Sequence, residues 1–463
     1  MKVILNINIF FIITIIIIGC GGGSSVTGEL EGVKDRPAFH ENEPHGMLFI
    51  KQGSYNMGAS DQDVAWAMTS QSKTVSVDPF WMDETEITNN EYRQFVFWVR
   101  DSIARRMLGE DLADKYLITE DALGNEIDPP FLNWEQNIEW DGEEEIAILD
   151  PEEGGGLFLP KDERFFRRKE IDSRKLIYSY DWIDLKQAAK KSNRYDFKTG
   201  KYNGEIIDMN GNRNPIEGRK SFIFKDQIEV YPDTLCWMSD FTYAYNEPWT
   251  NLYFWHPAYD EYPVVGVNWK QATAFSIWRT RLHNNYLYAL GEQDMQAYRL
   301  PTESEWEYAA RGGLALSMYP WGGPYTRNYS GCFIANFKPL RGNYVDDGGI
   351  RTLQVTTYDP NEFGLYDMAG NVAEWTSNAF DESAYSFTHD LSPNYEYNAI
   401  PDDPPALKRK VVRGGSWKDI AYYLQTGTRT YEYQDTSKCY IGFRCVRSYM
   451  GRDRNDWDNS RFY

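Results

Sequence analysis

One run constrains the fold more than any other: NEFGLYDMAGNVAEWTSN, from Asn361 to Asn378. It has little periodicity, and it sets Gly364 and Gly370 among Tyr366, Asn371 and Trp375. Glycines let a backbone turn tightly at small steric cost, and aromatics supply buried area without a regular lattice. The run therefore predicts an irregular loop core. Four phrases of the same character stand around it: RLPTESEWEYAARGG (Arg299 to Gly313), YPWGG (Tyr319 to Gly323), RGGSW (Arg413 to Trp417) and IGFRC (Ile441 to Cys445). Aromatics are 16% of the chain, enough for a loop-rich fold to be held by Trp and Tyr packing.

At 463 residues the chain holds two or three average domains, or one large domain with insertions. Its net charge of −21 argues against nucleic-acid binding and against a polybasic membrane surface, and fits a solubilising exterior. The first residues point to a compartment. Lys2 precedes an apolar stretch from Ile9 to Ile18, too short and too terminal for an ordinary membrane span, so residues 1–19 read as a signal peptide. The stretch ends in Ile17-Ile18-Gly19-Cys20 and is followed by Gly21, Gly22, Gly23, Ser24 and Ser25, which resembles a bacterial lipoprotein box. Cys20 is the expected lipidation site, the alternative being a cysteine that merely closes the signal peptide. Acyl chains there would anchor the protein, since buried methylenes each contribute about 0.8 kcal/mol. Gly21 is not the aspartate that marks inner-membrane retention, so the expectation is an outer-membrane anchor facing the periplasm.

Residues 20–45 lack periodicity and read as a tether. Strands are expected in MLFIKQGSYNMG and VSVDPFWM. A capping box follows, with Thr88 as N-cap and Glu91 at its third position, and Tyr92, Phe95, Val96, Val99 and Ile103 then recur at helical spacing. Asn268 with Gln271 and Thr302 with Glu305 open two more helices in the same way, and Gly312 stops the second of these. Between about 107 and 251 the phrases fall silent. That stretch mixes acidic runs, a basic run (Arg164, Arg167, Arg168, Lys169), the strand-like SFIFKDQIEVYP and the turn-forming Asn210-Gly211. It reads as a large, exposed insertion, either a partner-binding surface or a solvated elaboration. A smaller insert is expected from His283 to Tyr298, a loop from Asp381 to Pro405, and a polar tail at 451–463.

Taken with GSYNMG and VDPFWMDETEITNNEYRQF, the phrases resemble the formylglycine-generating enzyme, or sulfatase-modifying factor, domain, and they come in its order over 46–450. The resemblance implies an α+β, loop-rich fold, distantly like a C-type lectin, with a large insertion. It also implies where chemistry should sit. That family oxidises a sulfatase cysteine with two copper-binding thiols, since soft sulfur selects Cu(I). The thiols follow the GGS-aromatic phrase, and here Gly414-Gly415-Ser416-Trp417 is followed by Asp419 and Leu424 at those two places. Neither can be a copper thiolate, so the resemblance implies a degenerate active site and a pseudo-enzyme, with no catalytic residue. Cys445 matches a structural cysteine of the family, and Cys439 near it is no substitute for the missing pair. Cys236 and Cys332 can pair in an oxidising periplasm, although the pairing among the four is open. His256 reads as a packed or turn histidine. The family also binds calcium: Asn336 and Asp347 match side-chain ligands of one site, with the carbonyls of Phe337 and Gly349, and Asn371 and Glu374 match another. The same amides can cap turns without an ion, and no cofactor is required.

Three longer phrases, FWMDETEITNNEYRQFVFWVRDS, DTLCWMSDFTYAYNEP and HPAYDEYPVVGVNWKQATAF, resemble the K-type (GldK/PorK) ring lipoproteins of the type IX secretion and gliding-motility machinery. That implies self-association in a periplasmic ring, an N-type ring protein as partner, and the outer membrane reached through the lipid anchor. The alternatives are a copper-dependent formylglycine-generating oxidase, and a lectin-like or peptide-binding lipoprotein.

Overall fold

The computed structural model describes residues 41–463 except 60–71, 122, 152–154, 244–246, 340–342, 344, 346–348 and 452–463. The expected signal peptide, Cys20, Asp347 and the tail beyond Gly451 lie outside the described residues. The chain divides into Met1–Glu41 and a second unit, Asn42–Tyr463, which carries every feature below.

Sixteen regular elements place the site. In chain order they begin with β1 (Met47–Ile50), β2 (Gly53–Met57), β3 (Lys73–Val77), β4 (Phe80–Asp83) and helix α1 (Asn89–Asp111). Strands β5 (Ile177–Ile183) and β6 (Ile223–Glu229), helix α2 (Trp269–Leu290), β7 (Tyr298–Arg299) and helix α3 (Glu303–Arg311) follow. The last are β8 (Ala373–Ala379), β9 (Arg409–Arg413), the short helix α4 (Ala421–Leu424), β10 (Thr430–Tyr433), β11 (Ile441–Gly442) and β12 (Val446–Ser448). One sheet runs β1-β4-β12-β7 and another β10-β9-β8-β11; β2 pairs with β3 and β5 with β6. Pairing is antiparallel throughout the first sheet, and parallel only between β8 and β11 in the second.

All three capping boxes form. Thr88 Oγ1 accepts from Glu91 N at 3.3 Å while Glu91 Oε2 accepts from Thr88 N at 2.8 Å, and Asn268 with Gln271 and Thr302 with Glu305 repeat the exchange. Glycines stop the later two helices, Gly291 at φ 73° and Gly312 at φ 57°, where a left-handed residue satisfies the last carbonyls. Helices α1 and α2 meet through aromatics: Tyr92 stacks on Phe275 at 5.5 Å and Phe95 lies 5.2 Å from Trp278. These four side chains sit in the largest buried cluster with Val96, Val99 and Trp375.

The fold is α+β and loop-rich, as expected, with three revisions. The key run is only half irregular, because Ala373–Ala379 is the strand β8. It lies between β9 and β11 and is buried on both faces, so it carries no alternation to read. The stretch from His283 is not an insert beyond the helix, since α2 continues to Leu290. The segment read as an exposed insertion is also more than polar turns. Tyr116, Leu149, Leu157, Leu176, Tyr178 and Val230 are buried in the cluster built by α1 and α2. Asn210-Gly211 does form its turn, between the paired segments Glu205–Ile207 and Arg213–Pro215.

Candidate functional site: the closed segment after the Gly-Gly turn

Strand β9 delivers Arg413 into the core and then turns sharply. Gly414 and Gly415 have φ of 89° and 67°. A Cβ on Gly415 would stand 2.8 Å from the backbone carbon and oxygen of Tyr423, so only glycine lets the following segment fold back this closely. Within that segment Ser416 Oγ donates to Asp419 Oδ2 at 2.6 Å, and Asp419 N donates to the Ser416 carbonyl at 2.9 Å. Burial nevertheless pushes the Asp419 carboxyl above its ordinary value. Leu424, at the end of α4, is fully buried against Tyr319, Ala335, Phe337 and Ala369. One position is therefore a self-closed turn and the other a core side chain.

Residues that sequence reasoning missed cover this turn. Trp417 stacks on Trp237 at 6.0 Å and on Phe241 at 5.7 Å, both from the segment between β6 and α2. Asp240 of the same segment pairs with Lys418 and accepts from the Cys439 thiol at 3.0 Å. Trp417 Nε1 donates to the Cys439 carbonyl at 3.3 Å. The phrase DTLCWMSDF offers no spacing that reveals this contact, whose partners lie far apart in the chain.

The four described cysteines are free thiols. Cys332 is exposed while Cys236 is buried beside Gly266, so the suggested pair is not brought together. Burial raises the pKa of Cys236; burial together with the Asp240 hydrogen bond raises that of Cys439. Cys445 is pushed up to about 12, chiefly by burial, and its sulfur lies 3.4 Å from Ser276 Oγ. A raised pKa keeps a cysteine as the thiol, the inert form toward metals and electrophiles. His256 caps a turn, its Nδ1 accepting from Ala258 N at 3.1 Å.

The side-chain oxygens of Asn371 and Glu374, matched to one calcium site, are engaged within the protein. Asn371 Oδ1 accepts from Leu353 N at 2.9 Å, and its Nδ2 donates to Glu86 Oε2 at 2.7 Å. Glu374 accepts from Trp306 Nε1 at 2.8 Å and twice from Arg444 Nε, at 2.9 and 2.8 Å. Asn336 Nδ2 donates to the Arg351 carbonyl at 2.8 Å. An ion at Asn371 and Glu374 would have to displace these bonds, so both side chains serve here as ties between loops. Among the described residues, no three His, Cys, Asp or Glu side chains converge as metal ligands do. The same cluster is strained electrostatically: burial, then Asp367 and Glu374, push the Glu86 carboxyl well above its usual range, and burial raises Asp367 to about 6.

A mixed α+β scaffold of glycine turns and buried aromatics, folded back on itself after its Gly-Gly turn, defines the class. The chain belongs to the FGE-sulfatase family: the sulfatase-modifying factor enzyme 1-like domain matches residues 34–126 and 244–449. It is 33% identical over 202 residues to the inactive C-alpha-formylglycine-generating enzyme 2 of Mus musculus, covering 42% of this chain and 52% of that protein. It is 35% identical over 189 residues to the formylglycine-generating enzyme of Streptomyces coelicolor, covering 40% and 52%. The chain thus spans about half the length of these curated relatives. Among solved structures, PvdO from Pseudomonas aeruginosa aligns with a TM-score of 0.41 at 16% identity, over 87% of this chain and 94% of that one.

Proposed function

We propose that this protein is a non-catalytic lipoprotein, anchored through Cys20 to the periplasmic face of the outer membrane, that builds a ring of the type IX secretion and gliding machinery. Its partner is the N-type ring protein, and its mechanism is mechanical. Acyl chains fix each subunit, the folded unit packs on neighbours, and a head-to-tail contact closes the ring. The observation that carries the non-catalytic half is the closed segment after Gly415. A copper oxidase needs two converging thiolates on an open site. Here Asp419 is spent on Ser416, Leu424 is core, and Trp237 and Phe241 cover Trp417. That a matched relative is itself named inactive supports the same use of the scaffold. The ring half rests on the K-type phrases, one of which, DTLCWMSDFTYAYNEP, lies mostly in 127–243, where the family model is silent.

The test has two arms. Purified full-length protein should hold no stoichiometric copper and leave a cysteine-containing sulfatase peptide unoxidised; turnover of that peptide would end the non-catalytic reading. Detergent extracts should contain the protein in a large complex with the N-type partner. A monomer by light scattering would end the ring reading and leave a glycan- or peptide-binding lipoprotein in its place.

A further inference from the structure

The basic run found in the sequence forms a built feature that the proposed function does not use. Phe165 and Phe166 are 69% and 84% exposed, and their rings meet edge to face at 4.4 Å, so they stand as one apolar knob. Phe166 and Arg167 both have left-handed backbone, at φ 48° and 58°, a conformation that non-glycine residues adopt at a cost. The knob stands on a firm base. Leu159 N donates to the Glu170 carbonyl at 2.8 Å, Phe158 bridges Ile171, and Phe158 packs on the main core. Arg164 donates to the Leu159 carbonyl at 2.6 Å and pairs with Asp150. Arg167, Arg168 and Lys169 follow the rings, all exposed, and the ion pairs nearby among the described residues belong to Arg164 and Arg174 instead.

We infer that Phe165, Phe166, Arg167, Arg168 and Lys169 form a membrane-contact finger that seats its two rings at the interface of an anionic phospholipid bilayer. Locally, and unlike the acidic chain as a whole, Arg167, Arg168 and Lys169 set three adjacent cations beside the exposed aromatic pair, and such a patch favours a negatively charged counterpart. A small convex tip with two exposed rings fits a fluid interface, where aromatic side chains lie at headgroup depth and cations meet phosphates. The turn holds both rings in water, and burying them at the interface removes that apolar area from solvent. A finger of this kind would set the orientation of the subunit against the bilayer to which Cys20 anchors it. The inference rests on one part of the proposed function, anchorage at Cys20, and on nothing in the ring.

The experiment places a photoreactive benzoylphenylalanine at Phe166 of the full chain, reconstituted into vesicles of phosphatidylethanolamine with phosphatidylglycerol. The control carries the probe at Phe197, which is 91% exposed in another loop. After irradiation, mass spectrometry should find phospholipid adducts at 166 and not at 197. Reversing Arg167, Arg168 and Lys169 to glutamate should lower the yield by about fivefold or more. A chain that does not float with the vesicles overturns both anchorage and finger. A floating chain with no lipid adduct at 166, or a probe that captures protein at 166 in cell envelopes instead, overturns the finger alone.

Discussion

Single charged residues carry much of this core, and each makes a distinct claim. Arg444 is buried and donates to both oxygens of Glu374 and to the Tyr366 carbonyl, in a cluster that also holds Glu86 and Asp367. Arg444→Met removes the one cation from that group and leaves buried carboxylates uncompensated. It should cost about 3–5 kcal/mol, read as a lowered urea midpoint. Lys410 makes a pH-dependent claim. Its Nζ donates to the Tyr397 carbonyl at 2.8 Å, lies 3.7 Å from the centroid of the Trp269 ring, and is lowered by burial to about 7. Between pH 7 and the unfolded value of about 10.4, the folded state holds fewer protons on this group than the unfolded state, so stability rises with pH there. Below pH 7 the ammonium is buried at full cost. The stability of the native protein minus that of Lys410→Met, from urea titrations, should climb from pH 7 to pH 10; a flat difference would contradict the assignment.

At the scale of elements, short-range devices were legible and long-range ones were not. The capping boxes at Thr88, Asn268 and Thr302 involve residues three apart, so local chemistry alone determines them. Thr88→Ala should cost about 1 kcal/mol of unfolding free energy, and Thr302→Ala a similar amount, both by urea unfolding. Strand β8 escaped because a central strand buried on both faces, Glu374 included, shows no polar alternation, and its neighbours arrive from distant parts of the chain. The two-residue strands β7 and β11 have no period to detect. For the site, the Gly-Gly turn and the positions of Asp419 and Leu424 were readable from the phrase GGSW. The cover of Trp237, Phe241 and Asp240 was not, because stacking between segments so far apart leaves no mark in spacing. The turn itself is testable. Gly415→Ala forces a Cβ onto the Tyr423 backbone at 2.8 Å in a left-handed conformation. It should destabilise by more than about 1–2 kcal/mol, the conformational cost alone.

For the whole molecule, the scaffold belongs to the sulfatase-modifying family, while Asp419 is held in a turn and Leu424 is core. The functional claim therefore attaches to assembly and anchorage. Asp419→Ala should leave secretion of proteins bearing the machinery's C-terminal signal unchanged in cells. Replacing Cys20 with alanine should release the protein from the outer-membrane fraction and abolish that secretion. Loss of secretion in a folded, assembled Asp419→Ala protein would return the turn to a chemical role.

Strand β12 lies between β4 and β7, with Val446 opposite Met82 and Arg299 opposite Val446. The first sheet is thus stitched shut by one of the last strands to emerge, and β4 has an open edge until then. Contacts of such wide separation form slowly. A nascent chain must consequently wait as an unfinished sheet, and acquire its native shape only after nearly all of it has been synthesised.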